Sequence, residues 1–172
     1  MASLLENLID VLDKENAEYE KLIVLAEDKT PTIIKGDVES LSKITEDEQE
    51  IVGRIQSMEK QRIKVLADVA NVVNRDVETL KLIDLIQMLE KMPDQQKRLK
   101  DIHGSLKKTT EKLREINDKN QLLLADKLDM VEFNLNMIRA MKSAPQTANY
   151  SRDAYTNGEV LGIFHGGFDA KQ

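Results

Sequence analysis

Few side chains in this 172-residue chain are equipped for chemistry. It has no cysteine, which removes thiol nucleophiles, disulfide frameworks and cysteine-based zinc sites. Two histidines, His103 and His165, remain as candidates for metal ligation or for proton and phosphoryl transfer. His103 has no second histidine or carboxylate three or four residues away, the spacing that puts two ligands on one helical face. A phosphoryl-accepting histidine on a helix is followed by a lysine three residues on and a glycine one further. In Ile102-His103-Gly104-Ser105-Leu106-Lys107 the glycine follows at once and the lysine stands four on. Gly104 is expected to disturb a helix, and His103 is read as a structural residue flanking a packed seam. His165 lies among Gly158-Glu-Val-Leu-Gly162 and Gly166-Gly167, which no strand precedes and which therefore make no phosphate loop. The chain is read as a non-enzyme without metal or cofactor.

Composition narrows the partners instead. With 25 basic against 31 acidic residues the formal charge is −6, which opposes binding to nucleic-acid phosphates. No run approaches the ~18 apolar residues that mark a membrane-spanning helix, so no membrane insertion is expected. The opening Met1-Ala-Ser-Leu-Leu-Glu-Asn turns acidic at once and lacks the basic start of a secretion signal. Absence of cysteine fits a reducing compartment, and a cytoplasmic location is expected.

Apolar residues recur at steps of three and four almost everywhere before residue 142, which is the helical period. A first helix is predicted from about Ser3 to Thr30, with Leu5, Leu8, Leu12, Tyr19, Leu22 and Ala26 on one seam. A Ser3–Glu6 capping box would start it, and Pro31 would disturb its end. Gly36-Asp37 punctuates the chain before a second helix, Val38 to Val73. Its seam reads Leu41, Ile44, Glu48, Ile51, Ile55, Met58, Arg62, Val65, Val69 and Val72, a heptad repeat. Asn74-Arg-Asp breaks that pattern, and a short helix is predicted from Val77 to Lys91. Pro93 suits the start of a last helix, Asp94 to Lys142, roughly 70 Å long. Its seam holds Leu99, Ile102, Leu106, Thr109, Leu113, Ile116 and Asn120. It then shifts by a four-residue step to Leu124, Leu128, Val131, Leu135 and Ile138. The expected fold class is all-α: an elongated antiparallel bundle of three long helices and one short, with coiled-coil-like packing. It would occupy residues 1–142, followed by a flexible tail over 143–172.

Three features carry functional information. Glu48 and Arg62 are charges on an apolar seam, and each is expected to meet an opposite charge across the bundle, specifying its register. The end of the last helix carries a second apolar stripe, Met130, Phe133, Met137 and Met141, beside the seam. The two stripes together cover more surface than one packing partner needs. Methionine is pliable and suits a surface that accepts apolar partners, so this end is expected to be a binding face. The tail holds four of the six aromatics, Tyr150, Tyr155, Phe164 and Phe168, and four of the seven glycines. A merely solubilising segment is poor in aromatics, and these are read as anchors of a docking peptide, the alternative being a tail that folds back and caps the bundle.

Taken together, these residues resemble the FlgN family of flagellar type III export chaperones. The most specific part is Lys35-Gly36-Asp37-Val-Glu-Ser-Leu41-Ser-Lys-Ile44-Thr45-Glu-Asp-Glu48, continuing to Met58-Glu59-Lys-Gln-Arg62. The odd seam charges coincide with family markers in that pattern. The resemblance implies a chaperone that holds the hook–filament junction proteins FlgK and FlgL before export. It implies further that the C-terminal part engages the client's C-terminal helical segment and contacts the export gate, here through Tyr150 or Tyr155. The physical argument places the client on Met130, Val131, Phe133, Leu135, Met137, Ile138 and Met141. A competing reading is a generic coiled-coil adaptor that self-associates through its heptads; a phosphorelay module using His103 is another.

Overall fold

The computed structural model describes residues 2–76 and 80–143, and these are helical almost throughout. In order come α1 (Ala2–Lys35), α2 (Val38–Val72), α3 (Leu82–Met88) running into a 3₁₀ turn at Leu89–Lys91, and α4 (Pro93–Ser143). No strand occurs among the described residues. The chain divides into two compact units, Met1–Val131 and Glu132–Gln172. The fold class is all-α with helical-bundle packing, as expected.

Two left-handed residues turn the chain in the first unit. Gly36, at φ +73°, ends α1. Its N–H bonds to Ile33 O at 3.0 Å, and that of Asp37 to Thr32 O at 3.2 Å, which satisfies the last carbonyls of the helix. Asp37 then caps α2: its carboxylate accepts from Ser40 N at 3.1 Å and from Ser40 Oγ at 2.7 Å. Those bonds hold its acid below the usual carboxylate range, the Ser40 hydroxyl most of all. Asn74, at φ +52°, ends α2 in the same way, with Arg75 N bonded to Ala70 O at 2.9 Å. Asparagine tolerates this conformation better than other residues with a side chain.

Several element boundaries differ from expectation. α1 begins at Ala2, so Ser3 lies inside the first turn and is not its cap. The same helix continues through Pro31 to Lys35, where Ile33 is buried. A proline removes one ladder bond, here the one Glu27 O would accept, and burial of Ile33 holds the last turn in place. The short helix is α3 plus its 3₁₀ turn, beginning at Leu82; Leu80 and Lys81 before it are not helical, and the expected start at Val77 lies outside the described residues. α4 passes unbroken through Gly104. A single glycine costs a helix only about 1 kcal/mol, and the packed Leu99 and Ile102 precede it.

Ion pairs fix the helix directions. Glu15 meets Arg62, Glu18 meets Arg54, and Lys29 meets Glu48, so residue numbers rise along α1 as they fall along α2. These two helices are antiparallel. Asn120 of α4 bonds to Ala26 and Thr30, whereas Leu99 and Ile102 share a cluster with Leu5, Leu8 and Leu12. α4 therefore runs parallel to α1 and antiparallel to α2, the outcome of an up-down-up path. One core gathers at the end where α3 sits: Leu5, Leu8, Leu12, Val69, Leu85 and Leu99 are all fully buried. Each contributes about 2 kcal/mol. A second, smaller core joins Leu22, Ile51 and Ile55, with Tyr19, Leu25 and Leu113 packed against it. The predicted α2 seam is covered or half-covered along its length except at Val72, which is 53% exposed because the helix ends there.

Candidate partner-binding surface

α4 changes character at Asn120. Before it, Leu99 and Ile102 are buried and Leu106, Leu113 and Ile116 half-buried against the bundle. Asn120 itself is buried, donating from Nδ2 to Ala26 O at 2.7 Å and accepting at Oδ1 from Thr30 Oγ1 at 2.6 Å. Beyond it, still within the first unit, Leu122, Leu124, Leu128, Met130 and Val131 are all exposed. Position along the helices explains the change. With Asn120 level with Ala26, only the nine residues to Lys35 remain of α1, about two and a half turns, to accompany α4.

The described part of the second unit is the last stretch of α4. Phe133 is 68% exposed and Met141 72%, and Leu135, Met137 and Ile138 are each about half exposed. The sequence pattern predicts a packed seam through Leu124, Leu128, Val131, Leu135 and Ile138 with a second stripe beside it; in the structure neither set is buried. The seam's spacing persists where no other helix among the described residues covers it. Ten of the eighteen large apolar side chains exposed among the described residues fall between Leu122 and Met141. Isolated exposed apolar residues are ordinary, whereas a concentration of this kind marks an interaction surface. The tail residues Tyr150, Tyr155, Phe164 and Phe168, like His165, lie outside the described residues.

Charged side chains of α1 and α2 pair across the bundle. Arg62 Nη1 donates to both carboxylate oxygens of Glu15 at 3.0 Å, and Glu15 is only 2% exposed. Lys29 Nζ reaches Glu48 at 2.5 Å in a half-buried pair. The two unusual seam charges of α2 thus meet opposite charges on α1, as expected. Their partners went unread in the sequence, although a signal exists: the α1 seam steps by three from Leu12 to Glu15 and by three from Ala26 to Lys29. His103 is half-buried, with Leu82 and Leu106 on one side and Lys97 and Lys100 on the other, and no carboxylate lines either surrounding cleft. Among the described residues no group of three or more His, Asp or Glu side chains converges as a metal site would. No helix there is long and apolar enough to cross a membrane.

Two buried glutamates on α1 shift in opposite directions. Burial raises the Glu15 acid above its ordinary value, outweighing the Arg62 charge that lowers it. Glu18 is lowered, first by its bond from Lys21 and then by Arg54, against the opposing effect of burial. A lowered carboxylate contributes stability above its unfolded pKa that is lost as pH falls through the folded value. A raised one does the reverse: the folded state takes up its proton first, so acidification toward pH 4.5 favours folding. Unfolding midpoints followed from pH 7 into the acid range should therefore fall less steeply in Glu18→Gln than in the unmodified protein. They should fall more steeply in Glu15→Gln, and parallel curves for the two variants would refute the assignment.

Compared with models of protein families, the chain matches that of the FlgN protein over residues 1–158. No individual curated protein and no solved structure matches it significantly.

Proposed function

The chain belongs to the FlgN family, whose members are flagellar export chaperones, and on that premise we propose that its clients are the hook–filament junction proteins FlgK and FlgL. It holds them in the cytoplasm, unassembled and competent for export. The observation that supports this reading is the uncovered apolar end of α4, carrying Met130, Val131, Phe133, Leu135, Met137, Ile138 and Met141. A junction protein awaiting assembly presents an amphipathic terminal helix that would otherwise self-associate, and an apolar helix face receives it in the helix-in-groove mode. Burial of about 600 Å² of apolar surface at ~25 cal/mol/Å² gives roughly 15 kcal/mol gross. Ordering and association costs bring that into the micromolar-to-nanomolar range. Such affinity shields the client and still permits release. One tail tyrosine, Tyr150 or Tyr155, makes the contact with the export gate, so that client and gate use separate parts of the chain.

Calorimetric titration of the full chain with C-terminal peptides of FlgK and FlgL from the same bacterium tests the proposal. One-to-one binding is the expected result. Absence of binding to both peptides would leave a helical adaptor in place of a junction-protein chaperone.

A further inference from the structure

Charge is unevenly distributed along α4. Between Gln95 and Thr110 five basic residues stand against a single acidic one, Asp101, in a chain whose formal charge is −6. Lys97, Lys100, His103 and Lys107 recur at steps of three and four, so they share one face of the helix. That face walls two clefts that meet at His103. Opposite it, the first cleft is lined by Ile83, Ile86 and Gln87 of α3, and the second by Leu12, Leu82 and the Arg62 already paired with Glu15. The walls are fixed to one another. Gln96 Nε2 donates to Ile86 O at 2.8 Å, and Leu85 and Leu89 are buried in the same core as Leu99 and Ile102.

The lysines of this wall are not engaged by the fold. Lys97 and Lys100 are exposed and pair with no described residue. Lys107 stands 4.0 Å from Glu111, a pair open to water on both sides. Lys29, Arg54, Arg62 and Lys112, by contrast, each reach a carboxylate on another helix. Facing the unpaired lysines, Ile83 is 53% exposed and Ile86 half-buried. We propose that this groove docks an acidic amphipathic helix of another protein, with its carboxylates on Lys97, Lys100 and Lys107 and its apolar side on Ile83 and Ile86. Charge complementarity selects an anionic occupant, and the shape of the charge selects its kind. The three amines are strung over about 15 Å of helix axis. Spread in this way they match carboxylates repeated along a helix of about three turns rather than one phosphate group. The isoleucine wall offers burial to a helix in a groove and nothing to a phosphate backbone, whose dense charge the acidic remainder of the chain would repel. The groove lies within the first unit, Met1–Val131, and does not depend on the client face proposed above.

The probe is a synthetic helical peptide of about four turns, with glutamates flanking a leucine stripe, and a twin with glutamine at each glutamate. Each is titrated into the full chain at low salt while its backbone amide resonances are followed. The glutamate peptide should move the signals of Ile83, Lys97, Lys100, His103 and Lys107, and should lose most of its affinity in about 1 M salt. The glutamine twin should bind about tenfold more weakly, and the variant Lys97→Glu/Lys100→Glu should lose about as much for the glutamate peptide. Both replaced side chains are exposed, so this variant should keep its thermal midpoint. Phe133→Asp should bind the glutamate peptide unchanged. Equal binding of the two peptides, or equal binding of the glutamate peptide to the unmodified protein and the lysine variant, would overturn the proposal. Loss of binding in Phe133→Asp would place the peptide on the end of α4 and overturn it as well. Tighter binding of a single-stranded oligonucleotide would make the groove a nucleic-acid site. Self-association at low salt that the lysine variant abolishes would put there the exposed acids Glu6, Asp10 and Asp13 of a second copy. Either result would also overturn the proposal.

Discussion

Phe133→Asp is expected to weaken binding of the FlgK peptide roughly a hundredfold or more, with the thermal midpoint of the free protein almost unchanged. The two halves of that expectation come from one number. Phe133 is 68% exposed in the free chain, so its replacement removes little packing from the fold. In the complex the ring would be desolvated, a gain of about 2–3 kcal/mol for a side chain of this size. An aspartate in its place loses that gain and must also strip water from an unpaired carboxylate in an apolar contact, at a further cost of about 1–3 kcal/mol or more. Since 1.4 kcal/mol is about a factor of ten, the combined loss exceeds a hundredfold. Phe133→Leu, which keeps the apolar contact, should retain most of the affinity, because Met137 and Met141 adjust to a changed neighbour. Unchanged binding by Phe133→Asp would place the client elsewhere on the chain.

That prediction depends on a face the amino-acid pattern announced only in part. Periodicity located α1, α2 and α4 to within a few residues, because each buries a stripe at steps of three and four against two neighbours. It also identified both apolar stripes at the end of α4. What it did not reveal is that the seam from Leu124 to Ile138 is covered by no other helix among the described residues: the spacing of a stripe records that it seeks a partner, not which partner. Local punctuation was likewise ambiguous. Pro31 and Gly104 read as interruptions, yet helix propensity is worth about 1–3 kcal/mol per residue, which the burial of Ile33 on one helix and of Leu99 and Ile102 on the other offsets. Val72 read as a seam position, although Val73 takes the half-buried place as α2 ends. The charges Glu48 and Arg62 were legible as anomalies. Their partners were not, because Glu15 and Lys29 stand in gaps of the α1 seam, where apolar periodicity carries no signal.

Those gaps carry the second large expected effect. Arg62→Glu should destabilise the bundle by about 3–5 kcal/mol, lowering the thermal midpoint by about 10 °C or more for a unit of this size. It would set a third carboxylate beside Glu15, which is 2% exposed, and Glu59, which lies 3.4 Å from the Arg62 guanidinium. The swap Glu15→Arg with Arg62→Glu should recover more than half of the loss, because the pair is restored even though its surroundings are not. Lys29→Glu should cost less, since the Lys29–Glu48 pair is more open to water. The reason both pairs are retained is visible in their arrangement. Along α1 the charges run Glu15 then Lys29, and along α2 Glu48 then Arg62, each two heptads apart and each facing its opposite in the antiparallel alignment. A slip of two heptads in one direction would bring Arg62 to Lys29; in the other it would bring Glu48 to Glu15. A slip of one heptad would bury Arg62 against Leu22 or Leu8. Apolar seams alone accept such slips at small cost, whereas charged positions penalise every one of them. The bundle therefore gives up some stability, seen in the raised acid of Glu15, and gains a single alignment of α1 and α2. If Arg62→Glu and the swap melt at the same temperature, the pair has no such role.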